Sequence, residues 1–336
     1  MTSPASVNRT TAGVLFGVIS SVAFGAGGPF AKAVIAAGFS PLQAVWVRLL
    51  GTVVVLAALC LAPRRPGQLA MTVRHKWPIV TYGLVAVAAC QALYFVAASR
   101  LPVGIAILLE FTGPVLVVGW EKLVRRAHVA RESAIGVGVA MAGLAVVVQI
   151  WSGVHLDAVG LAAGLGAAAG NATYFLVIDR LAGSVDPLTL TTGGMTVGMV
   201  ALTPLAAPWG APWHVLGRSV PLGSHHLPGW TLVGFIVLIS TVLAYLTGAA
   251  AVQRLSATVA AGLAYVEPAS ATVIAWLTLG EQLSATELAG GLIVLAGAYL
   301  AQRGIGRRGI RHSTGTEAGS GPSILGTTVT TEALIP

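Results

Sequence analysis

The stretch ASRLPVGIAILLEFTGP (98–114) resembles a second stretch of the same chain, VQRLSATVAAGLAYVEP (252–268). An Arg-Leu pair near the start and a proline at the end align between the two copies. Each copy follows one apolar segment, opens the next, and carries one glutamate inside it, Glu110 in the first and Glu267 in the second. A transporter built from a duplicated unit would contain such a buried carboxylate in each half.

The composition places this chain in lipid. Apolar residues make up 56% of it and charged residues only 9%, and its mean hydropathy is +0.85. A soluble domain carries about 25% charged residues, so this composition could not cover a water-soluble surface. The net charge of +8 could suggest a nucleic-acid partner. We exclude nucleic acid because the basic residues lie in short loops between apolar segments rather than on one helix face.

Windows of about 20 apolar residues predict membrane-spanning helices. Ten such windows occur, at 12–36, 41–62, 77–99, 102–121, 132–150, 158–178, 187–207, 229–251, 256–279 and 285–303. The linker 151–157 separates two halves of five spans each, 12–150 and 158–303. Because five is odd, the second half enters the membrane in the opposite direction. The fold class predicted is therefore an all-α integral membrane protein of ten helices in two inverted repeats.

The basic residues predict how these helices are oriented. If residues 1–11 are cytoplasmic, the outer loops contain only Arg100 and Arg218. The inner side then contains Arg9, Arg64, Arg65, Arg74, Lys76, Lys122, Arg125, Arg126, Arg131, Arg180, Arg254, Arg303, Arg307, Arg308 and Arg311. This asymmetry follows the positive-inside rule, so we expect a multi-pass protein of the cell (inner) membrane with both termini in the cytoplasm.

The last segment, 304–336, changes in character. It is rich in Gly, Ser and Thr and has no apolar period, which predicts a disordered cytoplasmic tail. Its basic start is expected to rest on anionic lipid headgroups. The chain has two cysteines, Cys60 and Cys90, without ligand spacing, so neither a disulfide framework nor a metal site is expected. We also expect no cofactor, because no nucleotide-binding motif fits its structural context.

Four charged residues lie inside the predicted spans, away from the residues at the span ends, and each needs a partner or water. They are Lys32, Arg48, Glu110 and Glu267. At about 1.5 Å per residue, Lys32 lies roughly 6 Å from the outer end of its helix, Arg48 and Glu110 lie roughly 10–12 Å in, and Glu267 is near the middle. All four could therefore line one cavity, bind substrate or couple an ion. In the alternative, Arg48 forms a buried pair with a glutamate and Lys32 extends to the outer headgroups.

Polar and aromatic residues on the same spans could complete a pocket. The candidates are Gln91, Tyr94, Asn171, Tyr174, Tyr245 and Tyr265. A tyrosine in a span can instead simply pack, with its hydroxyl bonded to a backbone carbonyl. Glu281, at the end of the ninth span, is interpreted as a solvated residue.

Glycine and proline predict interruptions in three spans. The residues concerned are Gly28 and Pro29 in the first span, Gly113 and Pro114 in the fourth, and Pro268 in the ninth. Proline removes a helical hydrogen bond and glycine weakens the neighbouring turns. Helix ends exposed at such breaks could hold the carboxylate or ammonium group of a small zwitterion. The alternative is a kink that serves packing alone.

Several motifs resemble the drug/metabolite transporter superfamily, EamA-type branch. In the second half these are YVEP (265–268) and GEQL (280–283). In the first half AKAVIAAG (31–38), VRL (47–49) and PVGIAILLEFTGP (102–114) are similar to the bacterial threonine and homoserine exporters of that branch. The resemblance covers 12–303. It implies a basket of helices around a central cavity, with export of small metabolites by alternating access, and the four charged residues within the spans would line or brace that cavity.

The function expected is export of small amino-acid-like metabolites, of the threonine/homoserine type, by a secondary transporter driven by protons or another coupling ion. A zwitterion needs a cation and an anion in one pocket, which Lys32 or Arg48 and Glu110 or Glu267 could provide. One alternative is efflux of hydrophobic cations or other toxic compounds, against which the two intramembrane cations argue. The other is a membrane enzyme or sensor, but the predicted spans contain no histidine. The sequence leaves open whether the protein is a monomer or a homodimer.

Overall fold

The chain folds into a bundle of apolar helices. The computed structural model describes residues 4–60, 76–124, 126, 131–148, 157–181, 187–252, 254 and 263–300. The predicted tail 304–336, most of the linker between the halves and the beginning of the ninth predicted span lie outside these residues.

Helices account for most of the described residues. They are α1 (Pro4–Ala36), α2 (Pro41–Cys60), α3 (Lys76–Arg100), α4 (Val103–Glu110), α5 (Gly113–Leu123), α6 (Arg131–Val148), α7 (Ala158–Leu181), α8 (Pro187–Ala206), α9 (229–252), α10 (Val266–Leu279) and α11 (Ala285–Leu300). Six described stretches, in α1, α2, α3, α4–α5, α8 and α9, are long and apolar enough to cross a membrane, and α6, α10 and α11 contain shorter apolar helices. The chain is therefore a mostly helical, multi-pass membrane protein.

In the part of the chain that the structure describes, two helices contain a π-helical segment. These segments are Tyr82–Ala89 in α3 and Leu238–Leu243 in α9. The two helices correspond to the third predicted span of each half. A π turn takes in an extra residue and disturbs the regular hydrogen-bond pattern, and such turns are frequent at functional sites.

The long connection between α8 and α9 contains a small hairpin that an all-α prediction did not include. Strands β1 (Ser219–Leu222) and β2 (His225–Pro228) are antiparallel, and Leu222 pairs with His225 at the turn. Gly223 has a φ of +62° within this turn. Pairing satisfies backbone groups that a long extended loop would leave without partners.

The packing of α1 links the two halves. This helix packs chiefly against α9 and α10, whereas α7 packs chiefly against α3, α4 and α5. The short helix α4 lies in the interior, because every residue from Val103 to Leu109 is buried. Helices α6 and α11 cross with their backbones in contact, since a Cβ added to Gly143 would lie 2.5 Å from the main-chain nitrogen of Val294.

The predicted interruption at Gly28 and Pro29 is wrong, because α1 is one continuous helix through these residues. The glycines of this region serve close packing instead. A Cβ on Gly25 would lie 2.7 Å from the main-chain oxygen of Glu267, and one on Gly28 would meet the hydroxyl of Tyr94. Proline inside a helix removes one hydrogen bond, and contacts with the neighbouring helices keep this segment helical.

Candidate functional site

Glu110 lies where the fourth predicted span is interrupted. It is the last residue of α4, and the chain turns at Phe111 and Thr112 before α5 begins. The side-chain amide of Asn171, on α7, donates a hydrogen bond to the main-chain oxygen of Glu110 (3.3 Å). The Cys90 thiol, on α3, donates to Oε1 of Glu110 at 3.5 Å. The end of a helix leaves carbonyl groups without intrahelical partners, and here a neighbouring helix provides one.

The ninth predicted span has a related interruption. Tyr265 forms a turn directly before α10, and Glu267 and Pro268 are the second and third residues of that helix. In the same way, Gly113 and Pro114 are the first two residues of α5. Proline fits the first turn of a helix because its missing N–H would have no helical partner there. Glu267 thus lies in a first turn, where the helix dipole stabilises a carboxylate.

Arg48, on α2, is buried and lies within electrostatic reach of both glutamates. Its Nε donates a hydrogen bond to Oγ1 of Thr241, in the π segment of α9, at 2.8 Å. Its guanidinium carbon lies 5.8 Å from the ring centre of Phe95. Among the described residues, no carboxylate forms an ion pair with Arg48 and no hydrogen bond engages its two Nη groups. The expected buried ion pair with a glutamate is therefore wrong, because Thr241 and Phe95 hold the guanidinium instead.

Tyr94, on α3, belongs to the same group of residues. It is buried, and Glu110, Glu267 and Arg48 all act on its hydroxyl electrostatically. We call the set of five side chains from α2, α3, α4 and α10 the central cluster: Arg48, Cys90, Tyr94, Glu110 and Glu267. Three of the four charged residues predicted to share a cavity, Arg48, Glu110 and Glu267, thus lie within electrostatic reach of one another, whereas Lys32 is paired with Glu281.

Other predicted residues lie beside this cluster. Gln91 follows Cys90 on α3, and its side-chain oxygen is buried without a hydrogen-bond partner in the described part of the chain. An unpaired buried acceptor costs about 1–3 kcal/mol, so a donor from a ligand or water would be favoured there. Tyr265 packs edge-on against Phe111 and Tyr299, with ring centres 5.8 Å apart in each case. Tyr265 thus contributes an aromatic ring beside the interruption.

Lys32 lies outside the central cluster, in a network of polar contacts near the C-terminal end of α1. Its Nζ forms an ion pair with Oε1 of Glu281 at 2.5 Å and donates to the main-chain oxygen of Leu101 at 2.9 Å. The other oxygen of Glu281 accepts the Val103 N–H at 2.8 Å. The interpretation of Glu281 as a solvated residue is wrong, because its carboxylate side chain is only 18% exposed and has both partners. The expectation that Lys32 extends to the headgroups fails for the same reason.

A second ion pair lies on the surface near this network. Arg100 donates to Oδ2 of Asp157 at 3.1 Å, and the Gly160 N–H donates to Oδ1 at 2.7 Å. The hydrogen bond from Gly160 lowers the pKa of Asp157 below its ordinary value, and the bond from Arg100 acts in the same direction. Asp157 thereby caps the first turn of α7.

Three of these contacts have no clear signal in the sequence. Cys90 looked like one more apolar residue, although its thiol lies beside Glu110. Thr241 belongs to a π segment that periodicity does not reveal, and Glu281 stands 249 residues away from Lys32 in the chain. A useful signal for Glu281 was its place in the motif GEQL, directly after a span.

Comparison with known sequences identifies the family. The sequence model of the EamA-like transporter family matches two segments, 11–149 and 158–302, which together make up most of the chain. The chain belongs to the EamA-like transporter family. The family resemblance expected from the sequence motifs is therefore confirmed, and a transporter in a membrane is the coarse function that follows.

Curated relatives include the threonine/homoserine exporter RhtA of Salmonella typhimurium (strain SL1344) and that of Escherichia coli (strain K12). Each is 30% identical over 185 residues, and the alignment covers 53% of this chain and 59% of the relative. The match thus spans little more than half the length of these relatives. A solved crystal structure is similar with a TM-score of 0.53 at 18% identity, covering 86% of this chain and 95% of its own length. This second likeness concerns the fold alone.

Proposed function

We propose that this protein is a secondary transporter that exports small amino-acid-like metabolites, of the threonine/homoserine type, by alternating access. One observation carries the proposal: the buried guanidinium of Arg48, with no hydrogen bond to its Nη groups among the described residues, lies within electrostatic reach of Glu110 and Glu267. Two Nη groups match the two oxygens of a carboxylate, which is the geometry of the strongest pairs. The names of the RhtA relatives point to the same substrate class.

The charges of the cluster support coupling to protons. With both glutamates ionised, one guanidinium faces two carboxylates, and a buried net charge is unfavourable. A proton on one carboxylate balances the empty site. A bound zwitterion adds no net charge, but its carboxylate pairs with Arg48 and its ammonium group lies beside a glutamate. There the ammonium group favours the ionised form of that carboxylate and so competes with the proton. Proton and substrate would therefore alternate in the site, which couples inward proton movement to export.

We further propose ten spans in two inverted halves, with both termini in the cytoplasm of an inner membrane. The two matched segments support this division. So do equivalent packing pairs, since α1 packs on α9 and α10 as α7 packs on α3 and α4. Segments that this topology places on the outer side also contact one another. Examples are the ion pairs Lys32–Glu281 and Arg100–Asp157.

Transport in proteoliposomes tests the proposal. Vesicles preloaded with unlabelled threonine or homoserine should take up labelled threonine by counterflow. An acidic interior should also drive uptake, as protons leave. In Glu110→Gln and Glu267→Gln we expect counterflow to persist in at least one variant while the pH-driven component is lost, because an amide carries no exchangeable charge.

The matched control is Glu287→Gln. Glu287 is a half-buried residue whose carboxylate accepts hydrogen bonds from Ser284 N and Oγ at 2.6 and 2.8 Å, and an amide can fulfil the same capping role. This variant should behave as wild type in both assays. Unchanged pH-driven uptake in both Glu110→Gln and Glu267→Gln would show that these carboxylates do not couple transport. If the protein transports organic cations but shows no amino-acid counterflow, its substrates are organic cations and not amino acids.

A further inference from the structure

The ion pair between Lys32 and Glu281 joins three elements of the bundle at one end. Lys32 belongs to α1, and Glu281 belongs to the connection between α10 and α11. Their backbone partners flank Pro102: Lys32 bonds the oxygen of Leu101, and Glu281 accepts the N–H of Val103. Proline has no N–H of its own, so the pair engages the polar groups on either side of it.

Helix α4, whose first N–H bonds Glu281, extends from this ion pair to the central cluster. Val103 is the first residue of α4 and Glu110 is its last, about 10 Å away at 1.5 Å per residue. All residues from Val103 to Leu109 are buried, so the helix cannot bend toward solvent to absorb a change at its end. A displacement at Val103 must therefore reach Glu110.

The neighbouring ion pair at the same end shows what is special about this one. The side chains of Arg100 and Asp157 are 47% and 37% exposed, whereas those of Lys32 and Glu281 are 27% and 18% exposed. Exposed pairs of this kind contribute little, because water competes for both charges. The less exposed pair, with two added backbone hydrogen bonds, holds its elements more firmly.

We propose that Lys32 and Glu281 form an outer latch, a pair of positioning residues that keeps the outer end closed and holds α4 so that Glu110 faces the central cluster. Resting on the proposed function, the latch opens once in each transport cycle, when α1 and the α10–α11 connection separate. Lys32 therefore acts on the substrate site through α4 and not as a ligand of the substrate.

Chemical labelling of the native Cys90 thiol measures the opening of the latch and needs no transport assay. In a Cys60→Ser background Cys90 is the remaining cysteine, and it lies beside Glu110. Right-side-out vesicles are treated with a membrane-impermeant methanethiosulfonate. We expect Lys32→Met and Glu281→Ala to react at least about tenfold faster than the parent, since losing a charge-assisted hydrogen bond shifts an equilibrium by roughly that factor or more. Arg100→Gln, the matched surface control, should react at the parental rate.

A covalent lock tests whether the latch has to open. A water-soluble carbodiimide activates the carboxylate of Glu281, Nζ of Lys32 displaces the activated oxygen to form an amide, and the carbodiimide leaves as a urea that carries this oxygen. Peptide mass spectrometry measures the yield. Threonine counterflow by the wild-type protein should fall in proportion to the cross-linked fraction. Glu281→Gln cannot form this amide, so treated and untreated samples of that variant reveal any effect of the reagent on other carboxylates.

Two results would overturn the latch. One is parental labelling of Cys90 in correctly folded Lys32→Met and Glu281→Ala, or an equal acceleration in Arg100→Gln. The other is full counterflow by protein cross-linked between Lys32 and Glu281. If untreated wild-type protein shows no threonine counterflow, the proposed function fails, and the labelling experiment still decides whether the pair closes the outer end.

Discussion

The crossing of α6 and α11 gives a quantitative prediction for a single methyl group. A Cβ on Gly143 would lie 2.5 Å from the nitrogen of Val294 and 2.9 Å from the oxygen of Gly290, whereas ordinary contacts begin at 3.4 Å. Both neighbours are backbone atoms, so they cannot rotate away. In Gly143→Ala the two helices must therefore separate by up to roughly 0.9 Å, and a gap of that size forfeits about a quarter to a half of each dispersion contact.

The expected cost follows from two opposing effects. Overpacking of this kind costs about 1–3 kcal/mol, while replacing glycine by alanine inside a helix returns at most about 1 kcal/mol. We expect Gly143→Ala to be destabilised by about 1–2 kcal/mol. At about 2.1 cal/mol/K of unfolding entropy per residue, this lowers the thermal midpoint of a 336-residue protein by about 1–3 °C. Heating the purified protein in detergent and measuring the folded fraction by size-exclusion chromatography gives this midpoint.

Gly138, on the same helix, is the matched control. A Cβ there would meet no atom within 4 Å, so Gly138→Ala should have an unchanged or slightly higher midpoint. If Gly143→Ala is as stable as wild type, or if both variants lose the same amount, backbone contact does not determine this crossing. Transport need not be measured, so the result is independent of the proposed function.

Three further predictions concern the site and its surroundings. Gly28→Ala should slow counterflow because its Cβ meets both the Tyr94 hydroxyl and Cγ1 of Val103. Tyr94→Phe in the same protein relieves the first contact and should restore part of the rate; no restoration would show that the contact with Tyr94 does not limit transport. Arg48→Met should weaken the apparent threonine affinity about tenfold to a hundredfold in counterflow titrations, because a charge-assisted hydrogen bond contributes roughly 1.5–3 kcal/mol. An unchanged affinity would show that Arg48 does not bind the substrate. Asp157→Ala should lower the thermal midpoint most at neutral pH. The hydrogen bond from Gly160 lowers the pKa of Asp157. The ionised carboxylate therefore stabilises the folded protein above the ordinary carboxyl pKa, and this stabilisation is lost as the pH falls through the lowered pKa. A gap between variant and wild type that widens in acid would refute this.

Local sequence features predicted the helices well. Apolar windows located most of the described helix ends to within a few residues, because in lipid every backbone group has to be satisfied within its own helix. The exception is α1, which begins at Pro4, eight residues before the predicted start at 12. The motif Thr112-Gly113-Pro114 also stands beside a real interruption, since proline is favourable at the beginning of a helix. The same reasoning failed at Pro29, where the packing of neighbouring helices keeps α1 continuous.

Contacts between distant residues were the harder part. Lys32 and Glu281 each lie near the end of a span, where a charge is ordinarily solvated, and nothing local indicates that they meet. Arg48 has two glutamates within electrostatic reach but bonds to Thr241, a residue whose position depends on a π segment. Such choices depend on the three-dimensional arrangement of helices that hydropathy alone leaves open.

The packing of α1 has a consequence for how the protein is made. Its main partners, α9 and α10, leave the ribosome more than two hundred residues later. At about 5–20 residues per second this delay is on the order of tens of seconds. During that time Lys32 is in the membrane before Glu281 has been synthesised, so its ammonium group has to be accommodated by headgroups or by the insertion machinery. A protein truncated before α9 therefore lacks the main packing partners of its first helix.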